Sequence, residues 1–187
     1  MTMPDLTFVL GGARSGKSGY AERLAADSGL PVTYIATACG ADDEFAARIA
    51  HHRARRPAHW RLIEAQADLA GALGDAQGEA HCVLIDCLTL WLANLLCPRE
   101  GEAHALPLEA FAARLDAFEA ALVRAPGKII VVSNEIGLGV VPLGAVTRHY
   151  VDELGRLNQR VAAVAREVTL MVAGLPVAVK AARQGHT

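Results

Sequence analysis

The chain carries almost no surplus charge. Its 18 lysine and arginine residues face 20 aspartates and glutamates, a formal net charge of −2. Nucleic-acid and anionic-membrane binders show a basic excess or a basic patch, so no nucleic-acid partner is expected. Lysine is scarce, confined to Lys17, Lys128 and Lys180. Cysteine is sparse as well: Cys39, Cys82, Cys87 and Cys97 form no CxxC pair and stand at no zinc-ligand spacing with histidine. That excludes a zinc ribbon and a thioredoxin-type redox motif. Cys82 and Cys87 bracket an apolar run and read as small buried hydrophobes. No apolar stretch approaches the length of a membrane span. The first twelve residues lack a basic region, and their apolar run is too short for a secretory signal, so a cytoplasmic protein is expected.

What is present is an alternation of short β-type runs with longer helical ones. Strands are expected at Leu6–Leu10, Val32–Ala36, Cys82–Asp86, Lys128–Ser133, Thr169–Ala173 and Pro176–Val179. Helices are expected near Lys17–Ser28, Asp43–Arg55, Leu88–Leu96, Leu108–Arg124 and Val151–Glu167. Alternation of this kind implies βαβ units, hence an α/β fold with a mostly parallel sheet flanked by helices. The near-continuous apolar character of the strands fits a sheet covered on both faces. Two irregular stretches are expected as loops, the polar Cys97–Pro107 and the glycine-punctuated Asn134–Tyr150. No repeat or low-complexity tract breaks the 187 residues, so one domain spanning 1–187 is expected.

The first strand runs directly into Gly11-Gly12-Ala13-Arg14-Ser15-Gly16-Lys17-Ser18, which satisfies GxxxxGK[ST] between a strand and a helix. The chemistry requires each fixed type. Gly11 and Gly16 permit backbone conformations that let successive N–H groups converge on phosphate oxygens. Lys17 sets a point charge on the outer phosphates, Ser18 offers a hydroxyl to Mg²⁺, and the following helix directs its N-terminal dipole at the anion. A nucleoside triphosphate is the expected ligand. A P-loop also requires a carboxylate at the end of another buried strand, and Asp86 closes one. The alternative is a cap for the helix that starts near Leu88, and the two roles are compatible.

At about 100° per residue, Glu44, Arg48, His51 and Arg55 fall within about 60° of one another, opposite Phe45 and Ile49. His51 thus lies on a polar stripe beside two arginines, whereas His52 turns toward the apolar side. Two readings stand. The stripe is a solvated face whose charges pair with Glu44, or it presents a neutral imidazole, kept so by its arginines, to a phosphorylated ligand.

Together these segments resemble the bifunctional adenosylcobinamide kinase/adenosylcobinamide-phosphate guanylyltransferase family. The resemblance rests on Gly11–Ser18, on YIATA at Tyr34–Ala38, on DDEFAARIAHHRARRPAHW at Asp42–Trp60, on SNEIGLGVVP at Ser133–Pro142, on GRLNQRVA at Gly155–Ala162 and on the closing strand pattern at Val172–Lys180. It implies a RecA-like P-loop fold and a homotrimer. It implies phosphorylation of adenosylcobinamide by ATP or GTP, then transfer of GMP from GTP through a GMP-histidine at His51. Ala36, Thr37, Ala38, His52, Arg53, Ala54, Arg55 and Glu64 would then help hold the nucleotide, with Lys17 catalytic and Mg²⁺ at Ser18 and Asp86. Asn134 and Glu135 are expected to line the site, with nucleotide or corrinoid left open as what they touch. Asn158 and Gln159, in a helix, stand open between a buried structural hydrogen-bond role and substrate contact. A P-loop kinase that leaves His51 idle is the rival reading. A nucleotide-gated switch is disfavoured, because no lysine stands in an [NT]KxD setting.

Overall fold

The computed structural model describes residues 3–38, 56–96 and 106–181. Among the described residues seven strands form one sheet: β1 (Asp5–Gly11), β2 (Val32–Ala36), β3 (Arg61–Glu64), β4 (Cys82–Asp86), β5 (Lys128–Asn134), β6 (Glu167–Val172) and β7 (Leu175–Lys180). Their order is β3-β2-β4-β5-β1-β6-β7. The first six pair in parallel, and only β7 is antiparallel, hairpinned onto β6. The described helices are α1 (Lys17–Asp27), α2 (Leu69–Ala76), α3 (Leu88–Leu96), α4 (Leu108–Arg124) and α5 (Ala145–Val164).

Strand alternation sorts the core into two layers. Phe8, Ile35, Val83, Ile85, Ile129 and Val131 face α2, α3, α4 and α5, where Leu73, Trp91, Phe118 and Leu157 meet them. Val9, Tyr34, Leu84, Ile130 and Val132 turn the other way, toward Ala21 and Ala25 of α1. Because helices cover both faces, every other residue of the central strands is still buried, which is why these runs read as continuously apolar. Trp91 anchors the first layer. It is 1% exposed, its ring centroid lies 5.0 Å from that of Phe118, and its Nε1–H donates to the Ala67 carbonyl at 3.0 Å.

Two elements depart from the sequence reading outright. β3 is an edge strand whose residues are mostly exposed, so RLIE shows neither alternation nor an apolar run. α2 holds Gly71 and Gly74 within eight residues, a composition that disfavours helix. It forms because Asp68 accepts from the Gly71 N–H at 3.1 Å and Leu69, Leu73 and Ala76 are buried. Tertiary packing overrides propensity there. α5 starts at Ala145 rather than Val151 and stops at Val164 rather than Glu167. Its first turn is exposed and lacks an apolar stripe, and the Arg166 N–H already bonds the Leu6 carbonyl at 2.9 Å. Asn134 closes β5 instead of opening a loop. Ala173, expected in a strand, turns the β6–β7 hairpin at φ 51° beside Gly174 at φ 82°. Cys82 and Cys87 are both buried, as read. The helix expected at Asp43–Arg55 and nearly all of the loop expected at Cys97–Pro107 lie outside the described residues.

Candidate active site

Parallel strands end together, so Gly11, Ala36, Asp86 and Asn134 arrive at one edge of the sheet. In open α/β sheets ligands bind outside those carboxyl ends. The loop Gly11–Ser18 is shaped there by its own backbone and by its neighbours. Gly16 caps α1 in the left-handed conformation, φ 90°, with no side-chain cap, so the first-turn N–H groups of α1 remain directed outward for an anion. A Cβ on Gly11 would fall 2.4 Å from Ser15 Oγ and 3.0 Å from the Met171 carbonyl oxygen, so no other residue fits without movement. The hairpin braces the loop from outside, as the Gly174 N–H donates to the Ser15 carbonyl at 3.0 Å. On the inner side the Glu135 N–H donates to the Gly11 carbonyl at 3.2 Å. Ala13 and Arg14 are exposed at the tip, and Arg14 adopts φ 56°.

Lys17 opens α1 and donates to the Gly12 carbonyl at 3.0 Å. Burial weakens its hold on its proton, and the charges of Cys87 and Asp86 oppose that. Burial, with the Asp86 charge second, pushes the Cys87 thiol up to about 11. At neutral pH Cys87 is therefore neutral, and the anion facing Lys17 is Asp86. The Asp86 carboxylate has a second fixed neighbour: Tyr34 donates its phenol O–H to Oδ2 at 3.0 Å. Tyr34 is 4% exposed, and burial first, then the Asp86 charge, drives its pKa far above the ordinary phenol value. It is a permanent neutral donor. The Arg56 guanidinium lies over the same ring, 4.6 Å from its centroid.

Ala36 pairs with Asp86 on one side and Glu64 on the other, which gathers three of the expected site positions at one corner. Thr37 is wholly buried, and its hydroxyl donates to the Cys87 carbonyl at 2.6 Å while accepting from the Cys87 N–H at 2.9 Å. That side chain fixes the turn that presents Asp86; its oxygen is occupied by protein. Ala38 is half-buried and Glu64 exposed at the same edge. His51, His52, Arg53, Ala54 and Arg55 lie outside the described residues.

Among the described residues no group of three His, Cys, Asp or Glu side chains forms a metal cage. Mg²⁺ does not require one, since it keeps several waters and takes one or two protein oxygens beside the phosphates. The hydroxyl of Ser18, one residue beyond Lys17, and the carboxylate of Asp86 suit that habit. Sequence reasoning assigned nothing to the Tyr34 phenol, to Arg56 or to the Ala173–Gly174 turn. No local signal marks them, because each acts through a partner distant in the chain: Asp86 for Tyr34, Tyr34 for Arg56 and Ser15 for Gly174.

The model of the cobinamide kinase / cobinamide phosphate guanyltransferase family matches residues 7–179. The chain is 53% identical over 182 residues to the bifunctional adenosylcobalamin biosynthesis protein CobP of Pseudomonas aeruginosa, covering 95% of this chain and 98% of that one. It is 42% identical over 182 residues to the bifunctional adenosylcobalamin biosynthesis protein CobU of Escherichia coli, covering 94% and 99% respectively. Solved structures with the same fold include PH0250 of Pyrococcus horikoshii, with a TM-score of 0.54 at 10% identity over 97% of this chain and 88% of that one. The type III secretion ATPase EscN of enteropathogenic E. coli matches with a TM-score of 0.54 at 12% identity over 91% of this chain and 43% of that one.

Proposed function

The chain belongs to the cobinamide kinase / cobinamide phosphate guanyltransferase family, and from that premise we propose how its own residues divide the two reactions. The activity is that of a bifunctional transferase of adenosylcobalamin biosynthesis. In the first reaction the triphosphate of ATP or GTP lies on the Gly11–Ser18 backbone, with Lys17 on its outer phosphates. The terminal hydroxyl of the adenosylcobinamide side arm attacks the γ-phosphorus, and the β–γ bridging bond breaks to release the nucleoside diphosphate. In the second, an imidazole nitrogen of His51 attacks the α-phosphorus of GTP and pyrophosphate leaves. The phosphate oxygen of adenosylcobinamide phosphate then displaces the histidine, giving adenosylcobinamide-GDP. Ser18 and Asp86 would hold Mg²⁺, which neutralises charge on the departing phosphates. Ala36, Thr37 and Ala38, through their backbone at the β2 end, together with His52, Arg53, Ala54, Arg55 and Glu64, complete the nucleotide's surroundings.

The observation that carries this reading is the uncapped α1 terminus with Lys17 and Asp86 set against it, inside a chain that matches the family from residue 7 to residue 179. Incubation with α-labelled GTP tests the covalent half. The protein acquires an acid-labile, alkali-stable label, and His51→Ala does not, while that variant still phosphorylates cobinamide. An unlabelled wild type that still phosphorylates cobinamide would leave a simple kinase.

We further propose a homotrimer working in the cytoplasm, where nucleoside triphosphates are supplied. The edge strand β7 supports self-association, because it exposes Leu175 (69%), Val177 (48%) and Val179 (63%). Sedimentation equilibrium should return three times the 19.7 kDa chain mass, and Val177→Lys should lower it.

A further inference from the structure

Asn134 ends β5, the strand that lies between the cradle strand β1 and the Asp86 strand β4. It pairs in register with Gly11. Ile130 and Val132 turn toward α1, as do Cys82 and Leu84 of β4. Alternation carries Asn134 and Asp86 onto that same face, at the end of the sheet where Lys17 begins α1.

Both peptide groups of Asn134 are clamped by different helices. Its N–H donates to Thr89 Oγ1 of α3 at 3.0 Å, and its carbonyl accepts from Asn158 Nδ2 of α5 at 3.0 Å. The clamp is itself braced, since the Tyr150 phenol donates to the Thr89 carbonyl at 2.7 Å and Asn158 is only 5% exposed. Held this firmly, the side chain nevertheless leaves its Oδ1 buried with no hydrogen-bond partner. Buried polar atoms are nearly always satisfied, so an orphaned acceptor on a fixed residue at the mouth of a phosphate cradle points to a ligand that donates. Phosphate oxygens at neutral pH accept and would repel Oδ1. An alcohol donates.

Building on the kinase reading above, we propose that Asn134 Oδ1 accepts a hydrogen bond from the hydroxyl of cobinamide that is to be phosphorylated, with Asn158 and Thr89 as the positioning residues that aim it. The bond turns an oxygen lone pair toward the γ-phosphorus. Asn134 takes no proton. As the new O–P bond forms, the β–γ bridging P–O bond breaks, its electron pair leaves on the nucleoside diphosphate, and the proton passes to an oxygen of the transferred phosphoryl group.

The test compares wild type, Asn134→Leu, Asn134→Ser and Asn158→Leu, using cobinamide phosphorylation and the binding of a fluorescent GTP analogue. Asn134→Leu lowers kcat/KM for cobinamide about 10- to 100-fold while nucleotide Kd changes less than about twofold. Asn134→Ser, which keeps a hydroxyl oxygen, recovers part of the loss and serves alone if the leucine variant does not fold. Asn158→Leu gives a smaller defect of the same kind, and it adds little to Asn134→Leu in the double variant, which a merely structural role would not produce. A folded variant with unchanged kcat/KM for cobinamide overturns the assignment. A rise in nucleotide Kd matching the loss in kcat/KM also overturns it, placing the carboxamide on the phosphates instead. A wild type that phosphorylates no cobinamide removes the kinase reading itself and this inference with it.

Discussion

Tyr34 donates its phenol to Oδ2 of Asp86 across the β2–β4 pairing at 3.0 Å, and the phenol is too deeply buried to titrate in the working pH range. The bond fixes the orientation of the carboxylate that faces Lys17. Tyr34→Phe keeps the ring, its packing and the Arg56 contact, and removes only the donor. The expected result is a stability loss of about 1–2 kcal/mol, because a charged acceptor loses a buried partner. Activity should fall about tenfold with a raised Mg²⁺ requirement, read by titrating Mg²⁺ at saturating nucleotide. A variant with unaltered Mg²⁺ dependence would show that Asp86 is oriented by other contacts.

Gly11 and Gly12 are adjacent, yet the structure separates them. A Cβ on Gly11 meets Ser15 Oγ at 2.4 Å and the Met171 carbonyl oxygen at 3.0 Å, whereas one on Gly12 meets nothing within 4 Å. Neither has a positive φ, so the difference is steric. Gly11→Ala must push the loop off the β6–β7 hairpin, at about 1–3 kcal/mol of stability. Gly12→Ala should leave the melting temperature unchanged. Thermal unfolding of the two variants side by side checks this, and equal shifts would contradict it.

The sequence reading and the structure agree where the signal is local or strongly periodic. The run Leu6–Leu10 followed by glycines and Lys17 declared strand, loop and helix together, because the motif is contiguous. α4 was legible from Phe111, Leu115, Phe118 and Leu122, which repeat at helical spacing. β3 and α2 were not, since an exposed edge strand shows no alternation and a helix holding two glycines is stabilised by contacts that only the folded chain brings together. The site divides in the same way. Asp86 was readable as an acid closing an apolar run. Its bond to Tyr34 was not, because β2 and β4 become neighbours through a crossover that primary structure does not display. The clamp on Asn134 draws on residues 45 and 24 positions away, beyond the reach of any local pattern.

Cys87 is buried beside Asp86, and its thiol is pushed from an ordinary 9.0 up to about 11, first by burial and then by that carboxylate. Raising the folded pKa means that the folded state holds its proton after the unfolded state has lost it. The contribution to stability is intact below pH 9 and is lost as pH rises from 9 through about 11. The span corresponds to roughly 2–3 kcal/mol. Urea unfolding across that window should show a steeper loss in wild type than in Cys87→Ala, which carries nothing to ionise there. Parallel curves would mean that the thiol is more accessible than its position indicates.

Lys17 tests the cradle from the opposite direction. Burial lowers its pKa below the ordinary 10.5, against the opposing charges of Cys87 and Asp86. A lysine depressed in this way holds fewer protons when folded than when unfolded at pH values between the two pKa values. Its own contribution to stability therefore improves as pH rises toward 10.5. Nucleotide affinity must move the other way, because the phosphates require the ammonium and neutralisation removes it. The two trends separate a binding lysine from a structural one. Binding of the fluorescent GTP analogue should weaken on the alkaline side before pH 10.5, and in Lys17→Arg, whose guanidinium stays charged, whatever affinity remains should be flat over the same interval. Lys17→Ala should lose about tenfold or more in affinity at neutral pH and abolish both phosphorylation and GMP transfer, since each begins with a bound triphosphate. If Lys17→Ala kept either reaction at wild-type rates, the triphosphate for that reaction would have to lie somewhere other than on the Gly11–Ser18 loop.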